Sequence, residues 1–188
     1  MAVIIATPRE DQPQNMQKES RVYFWNINAL KKHIVDEGLS EAQIFYYILL
    51  FVALSAGAIE FAGYLPNEGP NWWDYLDSAQ SVILTVIGTV IAYRANRGAE
   101  GKDFAARYFS IGFVMFVRFI VYLVPVYIAL AVYYALTMDP SASGDSVETS
   151  WPEFMLSLLW TAAYYLRVAK HVGDTATAPR AADGSAQN

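Results

Sequence analysis

The longest apolar stretch of the chain covers residues 104–138, and its interior holds one arginine, Arg118, and one proline, Pro125. A run this long and this apolar is typical of a membrane-spanning helix and not of the core of a soluble domain. As one helix it would be about 50 Å long at ~1.5 Å per residue, whereas the hydrocarbon core of a bilayer is only ~30 Å thick. We therefore expect a span over residues 108–137, with the first residues of the stretch in the interface or in water.

Three further stretches have the length and apolar character of membrane spans. They cover about residues 43–64, 75–93 and 151–172. The connector after the first of them carries Trp72 and Trp73, which are typical of the headgroup region. The pattern predicts an all-α integral membrane protein whose four transmembrane helices form one domain, residues 40–173.

Local signals predict where several of these helices begin and end. Ser40 with Gln43, and Ser150 with Glu153, have the spacing of a capping box, in which each side chain accepts a hydrogen bond from a backbone N–H group at the start of a helix. Gly173 follows a cationic turn, as is common just after a helix C-terminus. We therefore predict that the last helix ends at this glycine.

A shorter amphipathic segment, residues 21–38, precedes the first span. Tyr23, Ile27, Leu30 and Ile34 recur at helical spacing, and polar residues occupy the opposite side. This pattern predicts an amphipathic helix on the membrane surface, ended by a glycine at its last position. A helix that docks on its own protein would show the same pattern, and the sequence leaves this alternative open. The polar tails, residues 1–20 and 174–188, lack periodicity and are predicted to be disordered.

The distribution of basic residues predicts the orientation in the membrane. Of the 13 lysines and arginines, five precede the first span, four lie in residues 94–107, three follow from Arg167 onward, and the last is Arg118. The two other connectors carry acidic residues instead. Because lysine and arginine are retained on the cytoplasmic side, we expect both termini to be cytoplasmic, which agrees with an even number of spans. The compact architecture and the lack of a signal-peptide pattern favour a bacterial inner membrane.

Composition excludes several classes of function. Hydrophobic residues make up 55% of the chain and charged residues 16%, and there is no cysteine for a disulfide, a thiolate metal site or a cysteine nucleophile. His33 and His171 both lie on the predicted cytoplasmic side, without the buried, facing positions on spanning helices and the further ligands that a metal or haem site needs, so we expect no metal and no cofactor. No catalytic motif is present, and acidic residues offset the four cations of residues 94–107. We expect neither an enzyme nor a nucleic-acid-binding protein.

Two intramembrane charges and a proline are candidate functional residues. Arg118 shares a helix face with Pro125. One hypothesis is that this face lines an anion path or holds a lipid phosphate. The other is that Arg118 is paired within the protein or extends its side chain to the lipid headgroups. Pro125 removes one backbone hydrogen bond, so we expect a bend that serves as a hinge or as a static kink. Glu60, near the outer end of the first span, is expected to be an interfacial acid in contact with water or a proton or cation site.

Small side chains predict helix-packing faces on the first two spans. Ala53 and Gly57 give the first span a thin side, and Ser81, Thr85 and Thr89 recur at four-residue steps on the second. Such faces allow another helix to approach closely. The lipid bilayer and either a second copy or another membrane protein are therefore the expected partners.

These observations favour a non-catalytic accessory or scaffold subunit that acts through helix–helix packing. The alternative is a homo-oligomeric channel or small-solute transporter that uses Arg118 and the Pro125 bend. That alternative predicts that Arg118→Leu abolishes flux in a protein that still folds and inserts. A third hypothesis is a lipid-surface sensor that works through residues 21–37.

Overall fold

The computed structural model describes residues 22–62, 70–137 and 150–178, and these residues form an all-helical structure without a strand. Five α-helices follow one another, with one short 3₁₀ turn at Gly98–Glu100. The α-helices are α1 (Ile27–Asp36), α2 (Glu41–Ala62), α3 (Trp72–Ala95), α4 (Phe104–Thr137) and α5 (Trp151–Thr177). Within the described residues, α2, α3 and α4 are long and apolar enough to cross a membrane. The predicted all-helical fold is therefore confirmed, together with the presence of helices that are able to cross a membrane.

The predicted helix starts are present as hydrogen bonds. The backbone N–H of Ser40 donates to Gln43 Oε1 at 2.9 Å, and that of Gln43 donates to Ser40 Oγ at 3.3 Å. At the start of α5, the N–H of Ser150 donates to Glu153 Oε2 at 2.7 Å. A third capping box, formed by Asn71 and Asp74 at the start of α3, was not predicted. These caps satisfy backbone donors that would otherwise lack acceptors within the helix.

Helices α3 and α5 run parallel and pack against each other along their length. The rings of Trp73 and Phe154 meet near the two N-termini, with centroids 5.6 Å apart. Gly173 lies beside Ala95 near the two C-termini. The N-terminal ends of α3 and α5, together with the C-terminal end of α4, therefore form one end of the bundle. We call this the distal end, and we call the opposite end, which also carries α1, the basal end.

Gly88 allows the closest approach between these two helices. A Cβ at this position would lie 2.5 Å from Cβ and 2.6 Å from Cδ1 of Tyr165, and real Cβ atoms do not come so close to other heavy atoms. The Tyr165 hydroxyl donates to Thr85 Oγ1 at 3.0 Å, one turn before the glycine. The α3–α5 contact is thus a small-residue helix contact reinforced by a hydroxyl pair.

The largest group of fully buried side chains lies at the basal end, where α1, α2, α4 and α5 meet. It fills the space beneath α1 and around the first half of α4. Large apolar side chains are exposed along α2 and α3 and on the second half of α4, as expected for surfaces that face lipid. The buried core consists of Ile27, Leu30, Ile34, Tyr47, Ile111, Phe113, Val114, Met115, Val168 and Val172.

The predicted end of the last helix is wrong. Helix α5 continues through Gly173 to Thr177, so residues 174–177 are helical and do not begin a disordered tail. The reason is tertiary: Asp174 pairs with Lys31 of α1 at 2.9 Å, Gly173 lies against Ala95 of α3, and Thr175 is buried. These contacts outweigh the modest cost of a glycine inside a helix. The predicted tail 1–20 and the remainder of the predicted C-terminal tail, residues 179–188, lie outside the described residues.

Candidate functional site

Arg118 contacts the segment that precedes α1. Its Nε donates to the Trp25 carbonyl oxygen at 2.8 Å, and its guanidinium carbon lies 5.4 Å from the centroid of the Trp25 ring. The Trp25 ring in turn meets Tyr122 edge-on, one helical turn after the arginine. The arginine therefore has a carbonyl acceptor and an aromatic face, which are the two kinds of partner that offset the cost of placing a cation beside apolar surface.

Two further contacts hold this segment on the bundle. The backbone N–H of Tyr23 donates to the hydroxyl of Tyr47, a residue with no exposed surface, at 2.7 Å. The Phe24 ring meets Phe113 edge-on, with centroids 5.6 Å apart. Arg118 is thus one of several anchors for residues 22–26.

The apolar face of α1 packs on the protein itself. Ile27, Leu30 and Ile34 are each 5% exposed or less, and they contact α4 and its neighbours. Lys31 bonds Asp174 at 2.9 Å, and this bond holds the pKa of the Asp174 carboxyl below its usual range. The opposite face, which includes Lys32, is exposed and polar. Of the two alternatives that the sequence left open, the contacts are those of a helix docked on its own protein.

Pro125 lies inside α4, which continues as one helix to Thr137. The proline is exposed, as are Val121 and Val124 before it. Glu60 is also exposed, near the distal end of α2. Among the described residues, no hydrogen bond or ion pair joins Glu60 to Arg118. The structure therefore does not bring the three candidate intramembrane residues into one site.

The two predicted packing faces have different surroundings. On α3, Thr85 accepts a hydrogen bond from Tyr165 and Thr89 shares one of 2.8 Å with Tyr108, so this face meets α4 and α5 of the same chain. Ser81, one turn before Thr85, is half-buried on the same side. On α2, Ala53 and Gly57 are exposed, and among the described residues nothing lies within 4 Å of the position that a Cβ would take at Gly57.

An aromatic cavity of about 370 Å³ opens between α2, α3, α4 and α5. Its wall combines ring faces with the hydroxyl groups of the α3 stripe and of α5. The lining residues include Phe51, Thr85, Phe119, Trp160, Thr161 and Tyr164.

A second cavity, of about 350 Å³, lies at the basal end and is polar. We call it the basal cavity. Its wall is formed by the loop between α3 and α4, the first turn of α4, the last turn of α5 and one residue of α1. The lining residues are Val35, Asn96, Arg97, Glu100, Gly101, Lys102, Arg107 and Thr175–Ala178.

Arg107 in the wall of the basal cavity is only 7% exposed. Its Nη1 donates to the side-chain oxygen of Asn96 at 2.8 Å, and Asn96, which has no exposed surface, also donates to the Lys102 carbonyl at 3.3 Å. Gly101 lies so close to Asn96 that a Cβ there would overlap its backbone oxygen. The loop turns at Arg97, whose φ is 69°. The guanidinium is thus held in place by a buried amide.

The sequence did not predict the basal cavity. The basic residues between α3 and α4 are a visible cluster in the sequence, but as a sequence pattern they indicate only the orientation of the chain in the membrane. Their convergence on one cavity depends on α5 reaching past Gly173, which the sequence did not indicate. Among the described residues, no group of three or more histidine, aspartate or glutamate side chains is arranged to hold a metal ion.

The chain matches no protein-family model, no curated protein and no solved structure.

Proposed function

We propose that this protein is a small, non-catalytic membrane subunit that binds another membrane protein through the distal half of α2. The observation that carries this proposal is the uneven burial of α2. Near the basal end one side of α2 is enclosed, with Gln43 1% exposed and Tyr47 not exposed at all, whereas Phe45 and Tyr46 on the other side are exposed. Towards the distal end the helix presents the thin face of Ala53 and Gly57, and the described part of the chain does not cover this face.

A thin helix face is suited to a second helix because the two backbones approach closely and make extensive van der Waals contact. The chain demonstrates this at Gly88, where α3 meets α5. The face on α2 also consists of small residues, Ala53 and Gly57, but no helix of the described part of the chain packs on it. A helix of another protein is the proposed occupant. The transport alternative gains no support from Arg118, because its side chain is hydrogen-bonded to the Trp25 carbonyl oxygen.

The partner is tested by native mass spectrometry of the full-length protein, gently solubilised from its own membranes. We expect a stoichiometric complex with a different membrane protein. Ala53→Leu should weaken that complex at least ~10-fold, which corresponds to the loss of about 1.4 kcal/mol at a closely packed contact. Ala131→Leu is the matched control, since Ala131 is an exposed alanine on α4.

Equal complex formation by the wild type and by Ala53→Leu would contradict the proposed face. A monomer that carries only lipid would contradict the proposed subunit role. A homo-oligomer would replace the foreign partner with a second copy and favour the channel alternative.

We also propose that α5 is a fourth span and that the basal end is cytoplasmic, in a bacterial-type inner membrane. The support for the span is the parallel packing of α5 along α3, from Trp73 and Phe154 to Ala95 and Gly173. A bilayer crossed by α3 would also be crossed by a helix that runs beside it over the same length. The basic residues at the basal end support its cytoplasmic placement.

This topology is tested by labelling single cysteines with a membrane-impermeant maleimide, since the chain has no native cysteine. The exposed positions are Trp151 at the distal end, and Lys170 and Lys32 at the basal end. In intact cells we expect labelling of Trp151→Cys alone, and of all three after permeabilisation. Labelling of both Trp151→Cys and Lys170→Cys from outside would contradict a spanning α5.

A further inference from the structure

The basal cavity concentrates positive charge at one place on the bundle. Arg97, Lys102 and Arg107 all line it, and Glu100 is the acidic residue in its wall. Asp103 and Glu41 line a neighbouring, smaller cavity together with Arg107, so two further acidic side chains are close. Within the wall of the basal cavity itself, three cations accompany one acidic side chain. Like charges brought together raise the energy of the empty site, and an anion would relieve this repulsion.

The position of Arg107 shows that the cavity is built and is not a chance gap between loops. Removing a guanidinium from water costs several kcal/mol unless good hydrogen bonds replace its hydration. Asn96 supplies one such bond, and the close approach of Gly101 fixes Asn96 itself. The chain thus holds one cation in the wall, while two exposed cations, Arg97 and Lys102, stand at the same cavity.

We infer that the basal cavity binds a phosphate group, carried either by an anionic lipid or by a soluble phosphate compound. A guanidinium offers paired N–H donors that match phosphate oxygens, and an ammonium adds a point charge. The hydroxyls of Thr175 and Thr177 donate to backbone carbonyls of α5, so recognition rests on the three cations. The volume of about 350 Å³ exceeds that of a phosphate group alone and leaves room for its substituent.

The position of the cavity is compatible with both sources of phosphate. It lies at the basal end, where α3 ends and α4 begins, so it is at the level expected for lipid headgroups. Clustered basic residues beside a membrane helix bind anionic headgroups. The cavity also opens to water beside the exposed side chains of Arg97 and Lys102. This inference is independent of the proposed partner on α2.

The test uses the full-length protein in phosphatidylcholine nanodiscs with two probes. Phosphatidylglycerol mixed into the nanodisc reports lipid binding, as the number of lipids retained in native mass spectrometry. Inorganic phosphate added to the solution reports soluble binding, by calorimetry. We expect at least one probe to bind the wild type, and Arg97→Gln with Lys102→Gln to weaken that binding at least ~10-fold.

The matched control replaces two exposed cations of the same end that do not line the cavity, Arg94→Gln with Lys170→Gln. It removes the same charge, and we expect affinity within ~2-fold of the wild type. Retention of phosphatidylglycerol alone identifies a headgroup site, and binding of phosphate alone identifies a soluble ligand. Absence of binding by either probe, or an equal loss in the control, would overturn the inference. Arg97, Lys102 and Arg107 would then have only a structural role at the ends of α3 and α4.

Discussion

Replacing Gly88 with alanine is expected to lower the free energy of unfolding by about 1–3 kcal/mol, because the added methyl group overlaps Tyr165. The overlap involves Cβ and the near ring atoms of the tyrosine, which cannot move without shifting α5. The helices would have to separate, and the hydrogen bond from Tyr165 to Thr85 would lengthen. Unfolding of the full-length protein in mixed micelles, followed by tryptophan fluorescence, measures the change.

Gly57→Ala is the matched control because it makes the same substitution inside α2, where among the described residues nothing lies near the new methyl group. There we expect a small gain in stability, about 0.5–1 kcal/mol, because alanine loses less conformational freedom than glycine in a helix. Similar effects at the two positions would show that the α3–α5 contact is not as close as the structure has it.

Replacing Arg118 with leucine is the second change with a large expected effect. It removes the hydrogen bond to the Trp25 carbonyl and the cation beneath the Trp25 ring. Such contacts stabilise by about 1–3 kcal/mol where they are partly shielded from water. Because the contacts with Tyr47 and Phe113 remain, we expect residues 22–26 to detach from α4 more often, and the start of α1 to become accessible more often, than in the wild type.

A single cysteine at the buried position Ile27 reports this detachment, since the chain contains no other thiol. Its rate of modification by maleimide should rise about 10-fold in the Arg118→Leu background, following the loss of roughly 1.4 kcal/mol of docking energy. In Arg118→Lys, which keeps the charge but lacks the planar guanidinium donor, the modification rate should lie between those of the wild type and of Arg118→Leu. Arg94→Leu, an exposed arginine of α3, should leave the rate unchanged. An unchanged modification rate in Arg118→Leu would show that Arg118 does not hold residues 22–26 on α4.

The helices themselves were predictable because their signals are local. An apolar run marks α4, and the Ser40–Gln43 and Ser150–Glu153 pairs mark where α2 and α5 begin. The end of α5 was not predictable, because the glycine that normally signals a stop is overridden by contacts with α1 and α3. A local sequence signal for a helix end fails where contacts with a distant part of the chain stabilise the helix beyond it.

The candidate sites depend more strongly on such distant contacts. The packing faces on α2 and α3 both consist of small side chains, so the sequence does not distinguish them. Only the structure shows that Thr89 contacts Tyr108, while Gly57 has no described neighbour. The partner of Arg118 lies 93 residues earlier in the chain. The basal cavity needs the α3–α4 loop and the last turn of α5 together. No periodicity in the sequence reports these pairings.

The docking of α1 has a consequence for biosynthesis. Lys31 is made early, but its partner Asp174 follows 143 residues later, and the buried core beneath α1 also includes Val168 and Val172. During translation α1 therefore waits beside the membrane until nearly all the described chain has been made. Only then does its apolar face find complete cover. A ribosome that stalls before α5 would leave the apolar face of α1 without the cover that Val168 and Val172 supply. This partly exposed face is then a target for the chaperones and proteases that remove unfinished membrane proteins.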